Sequence, residues 1–126
     1  MDEPTFDLDA AGLRADGPEL LAGVEVLARK LEISLPRATS VQRRSRRMFS
    51  KDRFVATIEV RLGTTRYGMR VDGDRVEADR QQEVRGVVIK REPLELGAWV
   101  GALEAQLREQ AVDSAEARAA LERLVT

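Results

Sequence analysis

The segment from Arg43 to Arg53, RRSRRMFSKDR, concentrates the side chains best suited to binding another molecule. It holds six basic residues, one acid and an apolar Met48-Phe49 pair. Clustered guanidinium groups attract phosphates and carboxylates, and an exposed ring can stack on a base or enter a lipid headgroup layer. We therefore predict a patch that binds an anionic surface or a protein partner. Its members are Arg43, Arg44, Arg46, Arg47, Met48, Phe49, Lys51 and Arg53.

A structural interpretation of this basic segment is also open. The segment could be the solvated end of a hairpin whose Phe49 folds back into the core. Arginine outnumbers lysine 18 to 3 in the chain, a bias that codon use in a GC-rich genome produces by itself. The patch contains one aromatic residue, which argues against a platform that stacks several bases.

Residue types that the chain lacks exclude several chemistries. There is no cysteine and no histidine, so disulfides, thiol nucleophiles, a Ser-His-Asp triad and His-ligated zinc are excluded within one chain. Neither phosphate-binding glycine motif is present, and Asp72-Gly73-Asp74 lacks the later ligands of a calcium loop. Paired carboxylates can do acid–base work, but helix caps and cross-strand partners account for most of the acids. We expect no enzyme activity and no cofactor.

Charge is distributed unevenly along the chain. Residues 1–35 carry −5, residues 36–91 carry +8 and residues 92–126 carry −4, for a net charge of −1. A basic centre between acidic ends indicates either an anion-binding surface or acidic helices lying over a basic sheet. No apolar run reaches the roughly 18 residues that a membrane-spanning helix needs. The N-terminus, MDEPTFDLDAAG, lacks a signal-peptide pattern, so we expect a cytoplasmic location.

The first predicted element is a helix. Asp16-Gly17-Pro18-Glu19 has the pattern of a capping box, apolar residues then recur at helical spacing, and Pro36 ends the run. Residues 1–15 are acidic and have no clear period. We interpret them as a flexible acidic arm that precedes a single domain over residues 16–126.

The centre of the chain alternates with the period of β-strands. FVATIEVRL places Phe54, Ala56 and Ile58 on one face, with Val55 and Thr57 on the other. A two-residue turn at Gly63-Thr64 joins this strand to TRYGMRVD, and a second turn falls at Gly73-Asp74, since a one-residue slip would exchange the faces. The pairs predicted are Leu62–Thr65, Val60–Tyr67, Ile58–Met69, Val71–Val76, Met69–Ala78, Arg70–Glu77 and Asp72–Arg75. The opposite charges among them predict a salt-bridged, solvated sheet face.

Two further strands have weaker patterns. Residues 39–47 alternate arginine with serine and glutamine, which is typical of an edge strand protected by charge. Residues 84–91 are predicted as one strand with apolar side chains on both faces. Such a strand is either covered on both faces or pairs with another chain. Its apolar residues are Val84, Val87, Val88 and Ile89.

The last predicted elements are helical. Trp99, Leu103 and Leu107 belong to an amphipathic stripe, and a second capping box over residues 113–116 begins a short final helix. The predicted fold is α+β: an N-terminal helix, an antiparallel meander of four to five strands, a long helix and a short helix, with the helices on one face of the sheet. In outline this order resembles the cystatin-like and helix-grip families. The resemblance covers architecture and implies no function.

The functional expectation is a non-catalytic interaction module. It would bind another protein or a second copy of itself through the sheet or the long helix. The alternative is an anionic membrane surface or a nucleic acid bound by the basic segment 43–53. A third hypothesis is a small-ligand pocket lined by Tyr67, Met69 and Trp99, although such residues usually fill a core. No small-molecule substrate is implied by any motif.

Overall fold

The computed structural model describes residues 18–45, 53–73, 75–111 and 115–125 and has the predicted α+β architecture. Five antiparallel strands form one open sheet in chain order. The predicted arm over residues 1–15 lies outside the described residues. The elements are α1 (Pro18–Ser34), β1 (Thr39–Ser45), β2 (Arg53–Leu62), β3 (Thr65–Asp72), β4 (Arg75–Val84), β5 (Val87–Leu94), α2 (Leu96–Ala111) and α3 (Ala115–Val125).

The two central hairpins have the predicted register. Ile58 lies opposite Met69 and Val71 lies opposite Val76, and every other predicted pair is present. Gly73 opens the β3–β4 turn with φ +66°, a conformation that glycine adopts without a steric penalty. The alternating apolar side chains of β2, β3 and β4 therefore reach the same face of the sheet, as predicted.

The start of β2 differs from the prediction because of a β-bulge. Gln42 pairs with Thr57, but Arg43 pairs with Val55, which leaves Ala56 as an extra residue. A bulge rotates the strand beyond it, and Val55 consequently joins the core cluster. The predicted alternation is therefore wrong before Thr57.

All three helices lie on one side of the sheet, as predicted. Helix α1 contacts β1 and β2, α2 contacts β4, and α3 packs against both other helices. The buried core between helices and sheet is mainly aliphatic, which suits burial on one face of each element. Its largest fully buried side chains are Trp99, Tyr67, Leu27, Leu31, Ile58, Leu103, Leu107, Leu124, Val24, Val60 and Val100.

Trp99 is the centre of this core. Its side chain is fully buried, its Nε1 donates to the carbonyl oxygen of Asp79 at 3.1 Å, and its ring meets that of Tyr67 edge to face at a centroid distance of 6.0 Å. The Tyr67 hydroxyl donates to the side-chain oxygen of Gln106, and burial raises the pKa of Tyr67. Tyr67, Met69 and Trp99 thus fill the space between sheet and helix where a ligand pocket was hypothesised.

Trp99→Phe should lower the free energy of unfolding by about 2–3 kcal/mol, because it opens a small void and leaves the Asp79 carbonyl without its indole donor. Urea denaturation followed by circular dichroism measures this. Val88→Ala, at an exposed strand position, serves as the control and should change the same quantity by less than about 0.5 kcal/mol. A loss below about 1 kcal/mol for Trp99→Phe would contradict the assignment of Trp99 as the core centre.

Candidate functional site

Arg43, the first residue of the predicted patch, is used within the chain. It lies on the helix-covered side of β1, where its guanidinium contacts Glu25 at 3.1 Å and Glu32 at 2.9 Å. The hydrogen bond from Arg43 lowers the pKa of Glu32, and the same contact raises the pKa of Arg43. Both acids belong to α1, so Arg43 attaches the edge strand β1 to that helix.

Two other members of the patch are described, and both are exposed. Arg44 lies opposite Phe54, and Arg53 lies opposite Ser45, at the end of β1 and β2 where the hairpin begins. Neither arginine contacts a described carboxylate. The other members, Arg46, Arg47, Met48, Phe49 and Lys51, lie outside the described residues. The anion-binding patch therefore stays a prediction, carried within the described residues by Arg44 and Arg53.

The sheet face opposite the helices carries a lattice of paired charges. Arg66 Nε lies 2.8 Å from Glu59, and Arg61 lies 3.0 Å from Glu83. Arg91 Nε donates to Asp79 at 2.7 Å. Arg70 also pairs with Glu77, its predicted partner. These charges are matched within the chain, as expected for a solvated sheet face.

A groove crosses this charged face over Gly68. A Cβ at residue 68 would lie 2.9 Å from Asp79 Oδ1, so glycine permits the close packing of this carboxylate against β3. Glu59, Arg66 and Arg91 line the groove and are already ion-paired. The groove is therefore an open depression of the surface between side chains that are ion-paired within the chain.

The β4–β5 hairpin is a correction to the sequence prediction. Residues 84–91 are two strand ends joined by an Arg85-Gly86 turn, and β5 is an edge strand. Both turn residues have positive φ, 54° for Arg85 and 81° for Gly86, which is the signature of a type I′ turn. The prediction of one strand is wrong, and so is the alternative of a strand covered on both faces.

The end of this hairpin exposes four aliphatic side chains, and we call residues 84–89 the β4–β5 tip. The exposed fractions are 44% for Val84, 61% for Val87, 45% for Val88 and 65% for Ile89. Val84 lies opposite Val87 and Val88 lies opposite Glu83, and a bulge at Ile89 separates these pairs from the pair Gln82–Lys90. The valines therefore occupy both faces of the ribbon. A group of exposed aliphatic side chains at one corner of the sheet is a candidate interface.

The open edge of β5 (Val87–Leu94) is interrupted at Pro93 as a template for another strand. The pair Asp72–Arg75 closes a two-residue turn and is hydrogen-bonded, and bonded and non-bonded pairs alternate along antiparallel strands. By this alternation Asp79 bonds to Gly68 on β3. Its β5 neighbour Pro93 then directs its nitrogen, which has no hydrogen, to the open edge. A strand added at this edge would therefore find no backbone donor at Pro93.

The sequence analysis did not predict the turn at Arg85-Gly86. The signal that was present is Gly86, which stands with Arg85 as a two-residue spacer between Val84 and Val87. Among the described residues there is no cluster of three or more potential metal ligands, and no helix that is long and apolar enough to cross a membrane. Comparisons with protein-family models, curated proteins and solved structures found no match.

Arg43→Gln should lower the free energy of unfolding by about 1 kcal/mol at pH 7, because Glu25 and Glu32 lose their shared partner. Folding lowers the pKa of Glu32 below its ordinary value of 4.5. The Arg43 contribution is therefore complete above that value and is lost as the pH falls through the lowered pKa. Urea titrations at several pH values measure the difference between wild type and variant, which should shrink in acid. Arg44→Gln removes the same charge from an exposed position, and an equal loss for both variants would refute the attachment.

Arg85→Asn should raise the free energy of unfolding by about 0.5–1 kcal/mol, because asparagine tolerates the left-handed conformation that strains other side chains. The matched control is Arg75→Asn, which removes an exposed arginine beside the β3–β4 turn. It should change stability by less than about 0.5 kcal/mol. Thermal and urea unfolding of both variants measure this, and a destabilised Arg85→Asn would contradict the turn assignment.

Proposed function

We propose that the chain is a non-catalytic module that binds another protein through the β4–β5 tip. The observation that carries the proposal is the group of four exposed aliphatic side chains, Val84, Val87, Val88 and Ile89, beside a filled core. Covering apolar surface with a partner contributes roughly 25 cal/mol for each Å² removed from water. A partner surface that covers the tip would therefore gain free energy from side chains that the fold leaves in water.

The sheet supports the tip as a preformed surface. The Glu83 N–H donates to the Thr64 carbonyl at 2.8 Å, which joins the β4–β5 hairpin to the β2–β3 turn. The Glu83 carboxylate, 14% exposed, pairs with both Arg61 on β2 and Arg66 on β3. A surface ordered before binding loses less conformational entropy on association. These contacts support a docking role for the tip.

The residue types of the chain and the pairing of its acids support a non-catalytic role. The chain has no histidine or cysteine, and the acids of the outer sheet face, such as Glu59, Asp79 and Glu83, are held by arginines. We propose that the partner is another protein or a second copy, met in the cytoplasm. An anionic surface bound through the basic segment 43–53 is the second candidate, favoured by the exposed Arg44 and Arg53.

A photo-cross-linking residue in place of Val87 should capture the protein partner in cells, and Ile89→Asp should reduce the yield at least tenfold because it places a charge in the apolar contact. Ile33→Asp is the matched control, since Ile33 on α1 is 68% exposed and Ile89 is 65% exposed. Cross-linked products are quantified by mass spectrometry. Equal yields from the Ile89 and Ile33 variants would rule out the tip as the docking element.

The second candidate function, binding of an anionic surface, is tested by varying the salt concentration and by the double variant Arg44→Gln/Arg53→Gln. Flotation with vesicles containing phosphatidylserine, and titration with single-stranded nucleic acid over a salt series, should show binding that weakens with salt and with both substitutions. Binding that survives the double substitution would remove the described arginines of the segment from consideration.

A further inference from the structure

We infer that the partner of the β4–β5 tip presents an acidic side chain to Arg85, within an apolar segment that covers the neighbouring valines. This inference rests on the proposed function and adds the chemistry of the partner. Arg85 lies at the apex of the hairpin, between Val84 and Val87. The tip therefore combines one cation with the aliphatic side chains that flank it.

The turn conformation does not account for an arginine at residue 85. Its φ of 54° is the only positive φ that a non-glycine residue adopts among the described residues. Asparagine, aspartate or glycine suits the first position of a type I′ turn better than arginine does. A residue held in a sparsely populated conformation often serves a functional contact, and the side chain at this position is exposed.

The guanidinium of Arg85 also differs from those of the ion-paired arginines on the outer sheet face. Arg61, Arg66 and Arg91 each contact at least one carboxylate, whereas Arg85 forms no hydrogen bond or ion pair with the described residues. Its charge is therefore available for an intermolecular contact. Arg85 is therefore a cation at the apex of the hairpin that no described carboxylate neutralises.

Covering the tip imposes a requirement on the partner. A surface that removes water from Val84 and Val87 also removes water from Arg85, because Arg85 lies between them in the turn. A desolvated guanidinium without an acceptor is strongly unfavourable, whereas a carboxylate offers two oxygens in the geometry that guanidinium matches. An acidic residue among apolar ones is thus the partner chemistry that fits the tip.

The order of groups along the hairpin favours a protein partner over a lipid bilayer. Arg85 lies at the apex, and the aliphatic side chains lie behind it on the strands. Insertion into a bilayer would carry the guanidinium deepest, past the phosphates and toward the hydrocarbon, where a charge is costly. The described tip also lacks the tryptophan and tyrosine that anchor proteins at membrane interfaces.

The test is a selection with a random 12-residue peptide library displayed on phage. The wild-type chain is the target, and the Val87→Asp/Ile89→Asp double variant removes peptides that bind elsewhere. Selected peptides are then titrated by fluorescence anisotropy against wild type, Arg85→Asn and Arg75→Asn. We expect peptides with aspartate or glutamate among apolar residues, binding at least tenfold weaker to Arg85→Asn and changed less than twofold by Arg75→Asn. The thermal midpoint of Arg85→Asn, at or above that of wild type, shows that the loss is not unfolding.

Two results separate this inference from the proposed function. Peptides that depend on the tip but contain no acid, or bind Arg85→Asn within twofold of wild type, overturn the acidic-partner inference and leave the tip as a docking surface. Failure to select any peptide that depends on Val87 and Ile89 overturns both. Vesicles of phosphatidylcholine mixed with phosphatidylserine, an anionic lipid of the cytoplasmic leaflet, complete the experiment. Vesicle binding that requires Arg85, without any acidic peptide, overturns the inference in favour of a lipid surface.

Discussion

The structure depends on the burial of one apolar sheet face beneath the helices, and Asp79 joins that core to the opposite face. Its carbonyl oxygen accepts the indole N–H of Trp99 from the helix side, while its carboxylate accepts from Arg91 on the outer side. Gly68 gives this carboxylate room against β3. A single residue of β4 therefore contacts both the packed interior and the charge lattice, so the two layers of the molecule are positioned together.

The binding surface that we propose lies apart from the groups that are matched within the chain. Arg43 attaches the edge strand β1 to α1, and Pro93 limits strand addition at β5. On the outer sheet face, arginines such as Arg66 and Arg91 are paired with carboxylates. At the β4–β5 tip, by contrast, aliphatic side chains and an unmatched arginine remain in water. Their position at one corner of the sheet allows a partner to cover them without disturbing the core.

Much of the fold could be predicted from sequence because its central hairpins have short turns and strict alternation. Two-residue turns fix register, and a slip would have exposed Ile58 and Met69. The bulges at Ala56 and Ile89 left no comparable signal, since an extra residue in a strand resembles its neighbours. The Arg85-Gly86 turn was missed because arginine is not a usual turn residue and the flanking valines give one continuous apolar run.

The candidate site was less predictable because its contacts are distant in sequence. Arg43 and Arg44 are adjacent and identical in type, yet only Arg43 faces the α1 acids, Glu25 and Glu32. Residue type alone does not show which of the two arginines faces the helix. The β-bulge and the alternation of side chains along β1 decide this. The exposure of Val87 and Ile89 likewise follows from the place of β5 at the sheet edge, which depends on the order of all five strands.

The most direct test of this account uses the only tryptophan of the chain. Trp99 should have blue-shifted fluorescence that acrylamide barely quenches in the native protein. Quenching should rise in the same urea transition in which circular dichroism records the loss of the sheet, because the indole is reached only when the core opens. Ready quenching before that transition would contradict the buried Trp99 centre and, with it, the rigid sheet that presents the tip.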